Sequence, residues 1–208
     1  MAVFFDVGAN DGSSMDRFLY AGHTLFTFEP NPDLHRLMMT KFGLHSNWYC
    51  YNCAISDYNG IAEFNVCVTH DRGCSSLLEV SEAGKTQWGG RQDMIPDHKI
   101  KVDVHRLDNL LDWNQIPEIE YFHCDTQGSD LKVLQGMGIH LRKIKEGVVE
   151  AAAKEDILYK GQNSIKDTIA FLEQNGFAIT FIQANDIQHN EVNIGFRRVD
   201  NLVGNTSN

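Results

Sequence analysis

The stretch Asp6-Val7-Gly8-Ala9-Asn10-Asp11-Gly12, with Phe28-Glu29-Pro30-Asn31-Pro32 one βα unit later, constrains this chain more than any other feature. The first follows an apolar run, Ala2 to Phe5, that reads as a buried strand. The second closes the apolar run Thr24 to Phe28. A glycine-bearing strand-to-helix turn, followed by a carboxylate at the tip of the next strand, is how a doubly wound sheet holds an adenosine. The glycines let backbone approach a ligand closely, and the acid accepts hydrogen bonds from two ribose hydroxyls. A nucleoside cofactor is the expectation.

The choice of cofactor follows from charge. A dinucleotide fingerprint needs Gly-x-Gly-x-x-Gly, yet Asn10 holds the second glycine position and the third glycine is missing. Asp6 and Asp11 would meet a pyrophosphate with like charge. S-adenosylmethionine has no phosphate and carries an ammonium and a sulfonium, so an acid-rich turn suits it better. An NAD(P)-dependent oxidoreductase stays open as the alternative. Taken singly, Asp6 also fits a carboxylate that caps the following turn; its pairing with Glu29 favours the cofactor reading.

With 208 residues, the chain is expected to form one compact domain over residues 1–200, with a polar tail at 201–208. No apolar run approaches the roughly 20 residues of a membrane span. No basic-then-apolar leader pattern opens the chain, so a cytoplasmic location, or the cytosol of a host cell, is expected. The net charge of −10 and the lack of a Lys/Arg stripe argue against nucleic acid as a substrate. Five cysteines, mostly in predicted strands, read as small buried hydrophobes rather than a disulfide frame. Cys50 and Cys53 have C-x-x-C spacing but no second pair.

Strand and helix patterns alternate, which predicts an α/β layered sheet. Strands are expected at Ala2–Val7, Thr24–Phe28, Trp48–Ile55, Ile119–Cys124, Gly147–Ala151, Phe177–Ile182 and Glu191–Arg198, the last two as an antiparallel hairpin at the sheet's edge. Helices are expected from Ser13-Ser14 to Ala21, from Pro32 to Gly43, and over Leu107–Trp113, Ser129–Gly136 and Ser164–Asn175. After the third strand the layout breaks into an insertion of about residues 60–105. It comprises an antiparallel excursion at Ile61–Val68, a loop over Thr69–Asp97 and a strand at Lys99–Val104.

The ordered set of motifs resembles the FkbM-type methyltransferases. Besides the two opening stretches it includes Ala54-Ile55-Ser56-Asp57-x-x-Gly60 and Val104-x-x-Leu107-Asp108. It continues with Asp125-x-Gln127-Gly128-x-Asp130-x-x-Val133-Leu134-x-Gly136, Val148-Val149-Glu150, Tyr159 and Gly176-Phe177. The resemblance implies a Rossmann-like class I methyltransferase fold: a seven-stranded, mostly parallel sheet with an antiparallel last strand and a β/loop insertion after strand 3. It implies transfer of methyl from S-adenosylmethionine to a hydroxyl of a sugar, glycan or other small hydroxylated molecule. By this carry-over Asp6, Gly8, Asn10 and Gly12 form the methionine loop, Glu29 holds the ribose, and Ala54 and Ile55 lie beside the adenine. Ser14, Pro30 and Gln127 complete the expected cofactor set. The chain departs from the family pattern with Asp130 in place of Glu and with His123-Cys124 before Asp125. The helical segment that often lids the cofactor does not precede Ala2 here, so the pocket is expected to be open or covered by Thr69–Asp97.

Methyl transfer to an alcohol needs alignment and a group that takes the acceptor's proton. In open α/β sheets such groups gather beyond the carboxyl ends of the strands. Asp125 is the leading candidate base or acceptor-orienting group and Glu150 the second; His123 alternates with Asp125 and shares its face. Plain alternatives are a helix cap for Asp125 and a salt bridge to Lys154 for Glu150. A second mechanism has Asp125, Glu150 and Asp130 hold Mg²⁺. Ser75 and Ser76 are candidates for positioning the acceptor, Trp88 for stacking on it, and His70, His98 and His105 for an alternative base. A cofactor-binding scaffold without activity is the non-enzymatic reading. The oligomeric state is not legible in the sequence.

Overall fold

The computed structural model describes residues 1–68, 72–87, 96–154, 158–186 and 190–199. Short apolar runs buried on both faces form parallel strands: β1 (Val3–Val7), β2 (Thr24–Phe28) and β3 (Trp48–Tyr51). Ala54–Ile55, Gly60–Val66 and His98–His105 are β4, β5 and β6; Ile119–Cys124 and Ile144–Ala152 are β7 and β8. Phe177–Asp186 and Glu191–Arg198 are β9 and β10. The main sheet has the order β3-β2-β1-β7-β8-β10-β9. Its pairings are parallel from β3 to β8, whereas β10 is antiparallel to both β8 and β9.

Alternation along the strands separates two cores. Phe5 and Val7 join Phe28, Phe122, Leu134 and Leu172 on the face covered by α5 (Asp130–Gly136) and α6 (Ile165–Gln174). Phe4 joins Met15, Leu19, Leu25 and Met38 on the face covered by α1 (Asp16–Tyr20) and α2 (Pro32–Phe42). Each fully buried aromatic or Leu contributes about 1.5–3 kcal/mol. The helices start where their caps dictate. The Asn31 side chain accepts from Asp33 N–H ahead of Pro32, and Ser164 with Asp167 forms a capping box at α6.

Several sequence expectations are corrected. The run Trp48–Ile55 is two strands: β3 stays in the main sheet, while β4 pairs parallel with β6. The break falls at Asn52, whose amide donates to the carbonyls of Glu29 and Pro30 (2.8 and 3.1 Å) and turns the chain out of the sheet. With β5, the two make a second sheet in the order β4-β6-β5, so the insertion carries more regular structure than its loop-rich composition predicts. It also holds a short helix, α3 (Glu82–Gln87). Helix α1 begins at Asp16, after a loop in which Asp11 accepts from Ser13 N–H, and neither Ser13 nor Ser14 caps it. The helix at Leu107 is a single turn, α4 (Leu107–Leu110). A 3₁₀ segment at Gly138–Lys143, unread in the sequence, feeds β8, which begins three residues earlier than expected. His70 and Trp88 lie outside the described residues, as does 201–208.

The strand order reverses at β1, with β2 on one side and β7 on the other. Ligands bind beyond the carboxyl ends of strands at such a switch point, and Gly8 and Asp125 stand there.

Candidate active site

The turn after β1 is built for close approach. Gly8 has φ 81°, and a Cβ on it would lie 1.9 Å from the Asp125 carbonyl oxygen. Only glycine lets this turn pass the end of β7. Asn10 follows in the left-handed region at φ 52°, a conformation asparagine tolerates. Its N–H donates to Glu29 Oε2 at 2.9 Å, and the Asn31 N–H donates to Glu29 Oε1 at 2.8 Å. A carboxylate has about four acceptor sites, so Glu29 keeps acceptor capacity for a ligand. Burial pushes its carboxyl up to about 7, against the pull of the Asn31 and Asn10 N–H groups and helped by the charge of Asp6.

Glu29 lines a cleft of about 710 Å³ that is open to solvent. Gly8, Asn10 and Ser14 form one wall; Pro30 and Leu34 extend the wall of Glu29. The second sheet supplies an apolar side through Ala54, Ile55, Phe64 and, just beyond it, Leu77. Asp125, Thr126 and Ser129 close the cleft at the end of β7. The Ser129 hydroxyl is buried with no hydrogen-bond partner among the described residues. Two spare carboxylate sites, an apolar slot and an unused hydroxyl fit a nucleoside cofactor that lacks phosphate.

Of the expected cofactor residues, Gly8, Asn10, Ser14, Glu29, Pro30, Ala54 and Ile55 line this cleft. Asp6, Gly12 and Gln127 do not. Gly12 instead packs on α2, where a Cβ would come within 2.6 Å of the Phe42 ring. Asp6 is fully buried beneath the turn, with Oδ1 2.7 Å from His123 Nδ1 and Oδ2 without a partner. Gln127 is buried behind Asp125. Phe64 and Leu77 went unread because they come from the interior of the insertion, whose residues belong to none of the motifs. Thr126 and Ser129 are named by no pattern of their own.

Asp125, His123 and Glu150 project from the same face of the sheet, opposite Phe122, Cys124 and Val149. Asp125 reaches the cleft, whereas His123 and Glu150 stand behind it. Asp125 does not cap α5: its carboxylate accepts from Gln127 Nε2 at 2.8 Å. Nor does Glu150 pair with Lys154; it accepts from Gln127 Nε2 at 3.3 Å and from the Asn185 side-chain amide. Burial raises the proton affinity of Asp125, opposed by Gln127 and His123. Burial and the charges of Asp125, Glu191 and Asp130 raise that of Glu150 well above the ordinary range.

The carboxylates do not converge as a metal site. Asp130 is turned into the start of α5, where it accepts from Thr126 Oγ1 (3.0 Å) and Glu150 N–H (3.2 Å). Burial and the charge of Asp125 push Asp130 up to about 6. Among the described residues no group of three or more His, Cys, Asp or Glu is arranged to hold a metal ion. Ser75 and Ser76 are engaged by backbone. Ser75 Oγ accepts from Cys67 N–H, and Ser76 Oγ donates to the Gln127 carbonyl at 2.7 Å. No described helix is long and apolar enough to cross a membrane.

Comparison with known proteins gives a family and a fold. The family model described as "Methyltransferase FkbM domain" matches residues 6–179. The chain is 28% identical over 177 residues to the 2-O-methyltransferase NoeI of Sinorhizobium fredii, covering 82% of this chain and 70% of NoeI. In fold it is similar to magnesium protoporphyrin IX methyltransferase from Synechocystis PCC 6803 with bound SAH. The TM-score is 0.51 at 11% identity, over 96% of this chain and 74% of that one. It also aligns, over 95% of its length, with M. capricolum TrmK in complex with S-adenosyl-homocysteine. There it spans 62% of the other chain, at TM-score 0.48 and 10% identity.

Proposed function

Since the chain belongs to the FkbM methyltransferase family, we propose that it transfers methyl from S-adenosylmethionine to a hydroxyl oxygen of a sugar, glycan or other small hydroxylated molecule. The observation that carries this reading is that Glu29 and Asp125 line one cleft. Glu29 is suited to a ribose, and Asp125 is a half-buried carboxylate suited to taking a proton. When bound, S-adenosylmethionine supplies a methyl group on a positively charged sulfur, already activated for displacement.

The chain's own residues supply position and proton transfer. Glu29 accepts from the ribose hydroxyls, while Ala54, Ile55, Phe64 and Leu77 take the adenine. Asp125 orients the acceptor hydroxyl and takes its proton as the oxygen bonds to carbon; such proton transfer contributes about 10²–10⁴-fold. Oxygen as the acceptor atom is supported by the similarity to a 2-O-methyltransferase. The acidic surroundings of Asp125, with Asp6, Asp130 and Glu150 close by, favour an acceptor without phosphate. Residues of about 60–105 are proposed as the acceptor-recognition region, because they overhang the cleft through Phe64 and Leu77.

The test is calorimetric titration with S-adenosylhomocysteine, with NAD⁺ in parallel, followed by a screen of sugar acceptors with methyl-labelled S-adenosylmethionine. Micromolar binding of the former and label in a sugar ether support the reading. Preference for NAD⁺ sinks it, and label in an amine or carbon product removes the hydroxyl acceptor.

A further inference from the structure

Gln127 is placed with unusual care for a residue that does not reach the cleft. It is a non-glycine residue at φ 55°, in the left-handed region that favours glycine. Its carbonyl is held by Ser76 Oγ at 2.7 Å. Its side chain is fully used: Nε2 donates to Asp125 Oδ1 (2.8 Å) and Glu150 Oε2 (3.3 Å), and Oε1 accepts from the Tyr159 hydroxyl at 2.6 Å. Tyr159 is fully buried. Gly128 (φ 96°) lets the two meet, since a Cβ there would lie 3.1 Å from the Tyr159 ring. A flipped amide would aim its oxygen at both carboxylates, so the hydroxyl and the two acids together fix one orientation.

Two carboxylates on one amide nitrogen, Glu150 buried and Asp125 half-buried, cannot both carry full charge cheaply. Among the described residues neither has a Lys or Arg partner; Gln127 and, for Glu150, Asn185 donate to them, and the Asp125 and Glu150 side chains hydrogen-bond each other. The ionisable groups around them are Asp6 and His123 along the sheet, Asp130 at the start of α5, Glu191 on β10 and Tyr159 behind the amide. Only His123 among these can bring positive charge.

We propose that Gln127, oriented by Tyr159, is the positioning residue that ties Asp125 and Glu150 into one proton-sharing unit, with Asp125 as the member that faces the acceptor. The proposal rests on the methyltransferase reading. In the transfer the acceptor oxygen bonds to the methyl carbon, the carbon–sulfur bond breaks with its electron pair going to sulfur, and the hydroxyl proton passes to Asp125. The unit then holds two protons and returns one to solvent. Glu150 never meets the acceptor; it acts through the shared proton.

The test is carbon-13 NMR of the carboxyl carbons in the full chain, titrated with pH, with Asp125→Asn and Glu150→Gln used to assign the two resonances. The wild type is expected to show both resonances moving together in two steps, the upper one above the ordinary carboxylate range. Tyr159→Phe removes only the hydroxyl that aims the amide. It is expected to move the upper step up by about one pH unit, and Gln127→Glu to move it further. If every carboxyl resonance of the wild type titrates in one independent step, the proposal is overturned even if no variant folds, as it is by an upper step that ignores Tyr159→Phe. Calorimetry with S-adenosylhomocysteine on the same wild-type sample separates the two failures. Binding with independent carboxyls defeats this inference alone, whereas absence of binding defeats the methyltransferase reading.

Discussion

Asp6 and His123 face each other across the β1–β7 pairing, with Oδ1 and Nδ1 2.7 Å apart. Burial works against a charge on His123. The hydrogen bond that Asp6 accepts and the charges of Asp6, Asp125 and Asp130 outweigh it, so the imidazole holds its proton more tightly than usual. His123 thereby serves as the local cation under an acid-rich site. That position behind the cleft accounts better for it than a role as base.

His123→Ala is therefore expected to leave Asp6 buried and unpaired and to destabilise the fold by about 3 kcal/mol or more at pH 5.5. A histidine whose folded pKa is raised stabilises fully below its unfolded value, near 6.5, and loses that contribution as pH rises through the folded value. Chemical unfolding of wild type and variant at pH 5.5 and pH 9 should show the gap narrowing with pH. A constant gap would mean that the pair is not ionic.

Glu29 gives a stability slope of the same sign, over a lower pH window. Its carboxyl is pushed from 4.5 to about 7 in the free protein, so the folded chain binds an extra proton between those values and this contribution to stability falls as pH rises through that window. Ribose hydroxyls donate to the ionised form. Affinity for S-adenosylhomocysteine should thus rise by up to about tenfold per pH unit below pH 7 and level off above it. Calorimetry from pH 5 to 8.5 reads this slope, and Glu29→Gln should flatten it.

Removing the Glu29 acceptor altogether is more costly. Glu29→Ala strands the N–H groups of Asn10 and Asn31 and is expected to lose about 1–3 kcal/mol of stability and at least about tenfold in S-adenosylhomocysteine affinity. Thermal melts beside the calorimetry distinguish the two losses. Unchanged affinity in a folded variant removes Glu29 from the ribose site.

Gly8→Ala should cost about 3 kcal/mol or more, from a left-handed backbone plus a clash with the Asp125 carbonyl. Gly22→Ala is the control. Gly22 has φ 83° but nothing within 4 Å of its Cβ position, so only the conformational cost of about 1–2 kcal/mol applies. Denaturant unfolding of both variants isolates the close approach from the backbone angle.

Asp125→Asn should keep S-adenosylhomocysteine affinity within about threefold while lowering kcat by about 100-fold or more. The assay is label transfer to whichever sugar the acceptor screen yields. An Asn variant with wild-type turnover would move the base elsewhere.

The sequence by itself determined most of the main sheet and the residues that line the cleft at the ends of β1 and β2. Gly8 and Glu29 are readable because their roles are local: a turn that must pass close to backbone, and an acid at the tip of the neighbouring strand. The strands β1, β2 and β7 are readable because burial on both faces demands short, continuous apolar runs. Tertiary structure alone decided the rest. Trp48–Ile55 reads as one strand, and only the bonds from Asn52 to Glu29 and Pro30 break it and carry Ala54 and Ile55 to the cleft. Phe64 enters the apolar wall on β5, whose pairing with β6 joins segments more than 30 residues apart, and Leu77 follows the bridge of Ser76 to Asn65. Gln127 resembles a cofactor contact in its motif, yet Tyr159 and Glu150, 32 and 23 residues away, hold its amide behind Asp125. Side-chain alternation fixes which face of a strand a residue takes; which distant group meets it there depends on packing that no local pattern encodes.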